Sequence, residues 1–341
     1  MVSVLSVFVA LTIISINLKP FQATSNVTLH EQSIFDYHQK WMIQFSRVYN
    51  DDFEKEMRFK VFKKNLKFIE NFNNMGNQSY KLGVNDFTDK TKEEFLATYT
   101  GGLRGINVTS LPEVVHQTMS SKKLNFSELD FVKDWRNEGA VTPVKNQKSC
   151  GCCWAFSSVA AVEGLAKISG QNLVSLSEQQ LVDCHNGCKP GKFSLAFDYM
   201  INNGGITSDA EYPYQAEQGQ CHSNIIPTVK IKGYKWVPRN NEFALLDAVL
   251  RQPISVTIDP TTDSFMHYKE GVFDNRDCGI GQTHEVAIVG YGATEDGIKY
   301  WLIKNSWGES WGEEGYMRIR RMVEWPEGMC GVAQFPCYPV L

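Results

Sequence analysis

The stretch Asn146-Gln147-Lys148-Ser149-Cys150-Gly151-Cys152-Cys153-Trp154-Ala155-Phe156-Ser157-Ser158 constrains this chain more than any other. A Cys-Gly-x-Cys-Trp turn runs straight into a small-residue apolar segment, which predicts that Cys153 opens a helix. Unpaired N–H groups and the positive end of the helix dipole at such a terminus favour a thiolate, the nucleophilic form of cysteine. The run from Trp154 to Ile168 is apolar nearly all round, as in a buried helix, and Gly170 supplies its end. Taken alone, the stretch fits a structural cysteine in a Cys-rich turn better than a nucleophile.

A thiol hydrolase also needs an imidazole to hold the proton and a group to orient that imidazole. Downstream, Thr283-His284-Glu285-Val286-Ala287-Ile288-Val289-Gly290 offers a histidine opening a β-branched strand, and Tyr300-Trp301-Leu302-Ile303-Lys304-Asn305-Ser306-Trp307-Gly308 offers an asparagine ending another. In this order, with His and Asn roughly 130–150 residues after the cysteine, the three segments resemble the papain-like cysteine proteases.

The resemblance implies that Cys153 attacks as a thiolate paired with the His284 imidazolium, which then protonates the leaving amine. It implies that Asn305 holds the imidazole through a side-chain hydrogen bond and that Trp307 shields that bond from water. Gln147, six residues before Cys153, stands where the family places the side-chain donor of its oxyanion hole, with the Cys153 backbone N–H as the second donor. For Trp311, plain packing is the preferred reading.

At 341 residues the chain has room for about two domains. A net charge of -4 gives no electrostatic case for nucleic acid or an anionic membrane as a partner. The uncharged apolar stretch Val2 to Leu18, followed by small residues around Ala23, reads as a secretory signal peptide over residues 1–24. A membrane anchor needs about 20 apolar residues and fits less well. The last residues, Tyr338-Pro339-Val340-Leu341, hold no KDEL-type signal, so the expected destination is the vacuole or lysosome, or the cell exterior.

Nine cysteines in a secreted chain should be mostly paired with an odd one left over, as a thiol enzyme requires. All of them fall after Glu128, which divides the rest into a cysteine-free part, residues 25–128, and a mature part, residues 129–341. The sequons at Asn26, Asn77, Asn107 and Asn125 lie in the first part.

In that first part Trp41, Phe45 and Tyr49 recur every fourth residue, an aromatic stripe expected on a first helix. Glu54, Arg58, Phe62, Asn65, Ile69 and Asn73 share one face of a second, with Glu54 and Arg58 one turn apart. That pattern, and Gly83-Val84-Asn85-Asp86-Phe87-Thr88-Asp89 after it, are similar to the two propeptide motifs of the same protease family. They imply an inhibitory propeptide, released on acidification as Asp86, Asp89 and Glu54 lose charge. Gly101 to Lys123 is polar and broken by Gly and Pro, so it reads as a linker; by resemblance it runs through the cleft and is cut near Leu129.

In the mature part, a capping-type start at Ser177 opens a second helix and Phe193 to Asn203 a third. From Lys230 onward strands dominate, with one helix near Glu242 to Arg251. The fold class is therefore α+β, a helical half and a β-rich half. The resemblance makes this the papain-like two-subdomain fold, with a barrel-like second half and the active-site cleft between the two.

The resemblance also pairs Cys150 with Cys188, Cys184 with Cys221 and Cys278 with Cys330, leaving Cys152, Cys153 and Cys337. Cys152 takes the place of a common serine, and the Cys-Gly-Cys-Cys form resembles a plant senescence-associated subgroup. A zinc site built from Cys150, Cys152, Cys153, Cys184, His185 and Cys188 carries little weight beside disulfides in a secreted chain. The faint phosphate-loop likeness of Gly187 to Lys192 fails because Phe193 replaces the required Ser or Thr.

By resemblance Gly191 presents its backbone to substrate, and Phe193, Thr257, Gln282, Glu285 and Phe335 line the pocket for the second residue before the cut. Glu285 stands where relatives carry Ala or Gly. Strand alternation points it away from the face of His284, so it must find a cation, a proton or water. The function expected is a cysteine endopeptidase made as an inactive precursor. It acts on protein or peptide substrates as a monomer, with its own propeptide as inhibitor and with no cofactor or metal. The rival reading is a catalytically silent storage or binding protein on the same scaffold.

Overall fold

A computed structural model of the chain describes residues 29–100, 132–222 and 225–341. The signal peptide, the whole linker, the start at Leu129 and the sequons at Asn26, Asn107 and Asn125 lie outside the described residues.

Residues up to Val48 form one compact unit and the rest another. In the first, helix α1 (Leu29–Gln44) carries Trp41, which is buried and packs on Phe45 at 5.5 Å between ring centroids. The aromatic stripe ends there. Ser46 takes a left-handed φ of 51° and the helix stops, so Tyr49 belongs to the second unit, where its hydroxyl donates to Asp89 at 3.0 Å.

In the second unit, α2 (Asp52–Asn74) is capped by Asp51, whose side chain accepts from the Glu54 N–H. Its polar face grips the segment that follows. Arg58 donates to both carboxylate oxygens of Glu94, the nearer at 2.8 Å, and stands 3.8 Å from Glu54. Glu94 therefore takes the closer bond that the i,i+4 spacing had assigned to Glu54. Asn65 donates to the carbonyls of Thr88 and Lys90, and the Asn73 amide closes a two-way bond with the backbone of Leu82. The exposed Asn77 sequon sits in the turn between α2 and β1 at φ 55°.

Strand β1 (Tyr80–Leu82) then joins a nine-stranded sheet among the described residues. The remaining strands are β2 (Lys133–Asp134), β3 (Gly233–Trp236), β4 (Ile254–Ile258), β5 (Tyr268–Phe273), β6 (His284–Ala293), β7 (Lys299–Lys304), β8 (Tyr316–Arg320) and β9 (Cys337–Val340). The order is β1-β5-β8-β7-β6-β4-β9-β3, with β2 pairing β6 off this path. Strand β1 lies antiparallel to β5, Lys81 opposite Glu270, so the N-terminal part docks by adding an edge strand. Helix α3 (Lys92–Tyr99) follows, opened by a capping box between Thr91 and Glu94.

The helical half holds α4 (Cys153–Ile168), a short α5 (Glu178–Leu181) capped by Ser177, a π-helical turn over Val182–Asn186, and α6 (Phe193–Asn202). Gly170, at φ 92°, ends the α4 region. Helix α7 (Glu242–Arg251) and the short α8 (Asp263–Met266) pack in the β-rich half. Each half has its own core. Trp154, Val159, Leu181, Phe197 and Met200 belong to one; Val256, Phe265, Ile288, Trp301 and Ile319 belong to the other, joined by Phe87 and Phe95. This is the mixed α+β arrangement of two lobes. Disulfides join Cys150 to Cys188, Cys184 to Cys221 and Cys278 to Cys330, each worth roughly 2–5 kcal/mol in a secreted domain. These bonds consume three thiols of the alternative zinc set, Cys150, Cys184 and Cys188.

Candidate active site

Cys153 is the first residue of α4, with Cys152 at the N-cap. The Ser157 hydroxyl donates to the Val286 carbonyl at 2.7 Å, and the Ser157 carbonyl accepts from the Ser255 hydroxyl at 3.0 Å. These bonds pin the first turns of α4 to β6 and β4. His284 opens β6 opposite Ile258, and Asn305 follows directly on β7. Because β6 and β7 run antiparallel, the start of one and the end of the other meet at the same edge. The His284 Nε2 lies 2.7 Å from Asn305 Oδ1.

The same Oδ1 accepts the Ser306 N–H at 2.8 Å, so it is the acceptor and Nε2 carries the proton. Nδ1 is buried and has no hydrogen-bond partner among the described residues, which leaves its lone pair available. The Trp307 ring stacks on the imidazole at 4.4 Å and 21°. Trp311 is fully buried and donates to the Met266 carbonyl, a packing role.

Burial pushes the Cys153 thiol up, and the Glu285 carboxyl adds to this, against the backbone N–H groups of Glu285 and Trp154, which favour the thiolate. Burial also pushes His284 down to about 4, against its bond to Asn305. In this precursor form burial therefore favours the neutral state of both groups.

Gln147 is fixed from three sides. Its N–H donates to the Ser306 carbonyl, its Oε1 accepts from the Ser306 hydroxyl at 2.6 Å, and its carbonyl accepts from the Tyr214 hydroxyl at 2.8 Å. Its Nε2 then donates to Cys150 O at 3.0 Å and to Tyr99 O at 3.3 Å. Ser306 was legible in the Asn-Ser-Trp-Gly turn, though nothing in the pattern assigned it a partner. Cys152 packs beside this loop with its sulfur 3.1 Å from the Tyr214 hydroxyl, and burial pushes its thiol up to about 12.

Below Asn305 lies a buried charge cluster that no motif announced. Lys145 Nζ donates to Glu178 at 2.7 Å, to Glu163 at 3.1 Å and to the Leu176 carbonyl. Glu163 also accepts from the Thr142 hydroxyl, which itself accepts from Lys304 Nζ. Burial lowers Lys304, the residue preceding Asn305.

The five expected pocket residues do come together. Phe193, Thr257, Gln282, Glu285 and Phe335 line one cavity of about 450 Å³. Thr257 and Glu285 are cross-strand neighbours on β4 and β6, and Glu285 Oε2 accepts the Phe193 N–H at 2.7 Å. Gly191 does not line this cavity. It backs onto Trp154, whose ring would lie 2.7 Å from any Cβ placed there, and the same indole donates to the Lys189 carbonyl at 3.0 Å.

Residues 130–340 match the papain family cysteine protease model, and residues 38–95 match the cathepsin propeptide inhibitor domain. The chain belongs to the papain family. Senescence-specific cysteine protease SAG39 of Oryza sativa subsp. indica is 47% identical over 307 residues, covering 89% of this chain and 89% of that protein. Fruit bromelain of Ananas comosus is 46% identical over 306 residues, covering 89% and 85%. A solved recombinant stem bromelain precursor superimposes with a TM-score of 0.83 at 44% identity, over 91% of this chain and 99% of that one.

The papain-family chain is thus an active cysteine endopeptidase, made as a zymogen with an inhibitory propeptide and acting on protein or peptide substrates. Its secretory or vacuolar routing accords with these relatives. Among the described residues, no helix is long and apolar enough to cross a membrane.

Proposed function

We propose that Cys153 is the nucleophile, His284 its base and acid, Asn305 the group that fixes the imidazole, and Gln147 the oxyanion donor. The observation that carries this reading is the shared Asn305 Oδ1. By accepting from Ser306 N–H and His284 Nε2 together, it holds the tautomer that leaves Nδ1 able to take a proton from the thiol.

Once the cleft is open to water, the desolvation that favours the neutral forms is relieved, and the proton passes from Cys153 to His284. The thiolate attacks the scissile carbonyl, whose oxygen takes up negative charge between Gln147 Nε2 and the Cys153 N–H. Losing one such donor costs about 10²–10³ in rate. His284 gives its proton to the leaving amine as the C–N bond breaks, and water, deprotonated by His284, then cleaves the thioester and restores the thiol.

In this reading residues 1–24 are the signal peptide, 25–128 the propeptide and 129–341 the mature peptidase. Gly191 lends its backbone to the substrate, and the cavity lined by Phe193, Thr257, Gln282, Glu285 and Phe335 takes the side chain of the second residue before the cut. Cys153→Ser tests the assignment: peptide hydrolysis and labelling by an epoxide-type thiol-protease inhibitor should both vanish while the fold persists. Retained hydrolysis would refute it.

A further inference from the structure

Glu285 is the one ionisable group among the buried residues that line the 450 Å³ cavity. We propose that this pocket takes a lysine or arginine as the second residue before the scissile bond, with Glu285 as the residue that recognises its cation. The proposal rests on the reading of Cys153 and His284 as the reacting pair.

The walls suit the stem of such a side chain, since Phe193 and Phe335 are both buried and apolar. Lys and Arg bury their methylenes along surfaces of this kind while the head reaches a polar partner. At the floor, one Glu285 oxygen is held by the Phe193 N–H. The other has no hydrogen-bond partner among the described residues, although the residue is only 3% exposed. An unpartnered carboxyl oxygen facing a cavity is a costly feature if only leucine or phenylalanine ever fills it.

The cations already on the cavity do not meet this need. Arg239 is exposed at the rim, with its guanidinium 4.0 Å over the Phe335 ring and its Nε donating to the Gln334 carbonyl at 3.1 Å. Lys192 attracts Glu285 from the turn before α6 but makes no ion pair with it. The remaining ionisable neighbours are Glu327 on the cavity wall and the thiols of Cys153 and Cys337. Burial pushes the Glu285 carboxyl well above the ordinary range, which favours its protonated form while the pocket is empty. An entering ammonium or guanidinium displaces that proton to solvent and forms a charge-assisted pair. The bound cation also offsets the upward push that an ionised Glu285 exerts on the Cys153 thiol.

The test uses mature enzyme and fluorogenic peptides that differ only in the second residue before the cut, at concentrations set by epoxide titration of Cys153. The quantity read is the ratio of kcat/KM for Arg to that for Leu. In Glu285→Gln, which keeps the shape but cannot ionise, the ratio should fall by about tenfold or more, the scale of one charge-assisted bond. Glu285→Ala should show at least the same fall. A ratio changed less than about threefold in Glu285→Gln overturns the proposal, as does a wild-type preference for Leu of more than about a hundredfold. A wild-type enzyme that neither titrates with the epoxide nor cuts any peptide would fail differently, refuting the assignment of Cys153 and this proposal with it.

Discussion

The main-chain carbonyl of Tyr99 lies 3.1 Å from the indole Nε1 of Trp307, and it shares this oxygen with the Gln147 amide. Tyr99 ends α3, where helix carbonyls lack intrahelical partners and carry the negative end of the dipole. The propeptide therefore places a partially negative oxygen on the donor proposed to hold the oxyanion. On that reading the propeptide occupies the donor itself.

Trp307→Phe should keep a ring over His284 while removing one of the two donors to Tyr99. One neutral hydrogen bond is worth about 1 kcal/mol, or roughly fivefold. The rate at which an epoxide labels the intact precursor, divided by the rate for the mature enzyme with the same substitution, should rise by that factor. An unchanged quotient would show that the Tyr99 contact does not hold the propeptide.

Phe87 should matter more. It is 1% exposed and its ring meets Trp307 edge-on at 5.6 Å, with Phe95 at 5.0 Å and Tyr99 at 4.7 Å. Truncating such an aromatic to alanine costs about 3–5 kcal/mol. Here much of that cost falls on docking, so precursor carrying Phe87→Ala should hydrolyse peptide before any processing. Silent precursor with normal melting behaviour would contradict this.

The sequence reached the site through local chemistry and missed what depends on three-dimensional pairing. A thiol at a helix start, a histidine opening one strand and an asparagine closing another are legible because strand and helix ends are written in residue types. That His284 and Asn305 meet follows from the antiparallel neighbouring of β6 and β7, which sequence spacing alone does not dictate. The helix face ending at Asn73 was visible as periodicity, yet its purpose, gripping the backbone at Leu82, Thr88 and Lys90, required the fold. The desolvation of Cys153 and His284 was out of reach because local motifs favour the thiolate, whereas the burial that opposes it is a property of the whole precursor. The Lys145–Glu163–Glu178 cluster was invisible for a similar reason: charges in sequence read as surface until something buries them.

Cys152 offers a clean contrast with its neighbour. It is fully buried, bonded to Tyr214 and held as a thiol, so it has neither the charge nor the access that reactivity needs. Cys152→Ser should keep a hydroxyl partner for Tyr214 and preserve epoxide titration at one equivalent per mature chain. A second equivalent in the wild type, lost in the variant, would show Cys152 to be reactive.

The last prediction concerns acid activation. Asp89 accepts from Tyr49, and Arg58 bonds Glu94 more closely than Glu54. The docking clamp also rests on a histidine that no motif flagged. His267 is 1% exposed, neither ring nitrogen has a hydrogen-bond partner among the described residues, and its carbonyl accepts the Gly83 N–H at 2.8 Å. Burial pushes its pKa down to about 3. Since the folded value lies below the unfolded one of about 6.5, an opening that brings His267 to water takes up a proton between these limits. Its contribution to docking is complete above about pH 6.5 and is lost as pH falls toward 3. His284 acts with the same sign down to about 4. Glu94 adds a loss at the acid end: burial raises it, but its Arg58 and Thr91 hydrogen bonds bring it below its ordinary value. Glu285, raised by burial, works in the opposite direction. His267→Phe fills the same space without a proton site, so the precursor should need a lower pH for half-maximal processing and should mature more slowly at about pH 4.5. Following processing by gel against pH for wild type and variant decides the matter, and superimposed curves would remove His267 from the switch.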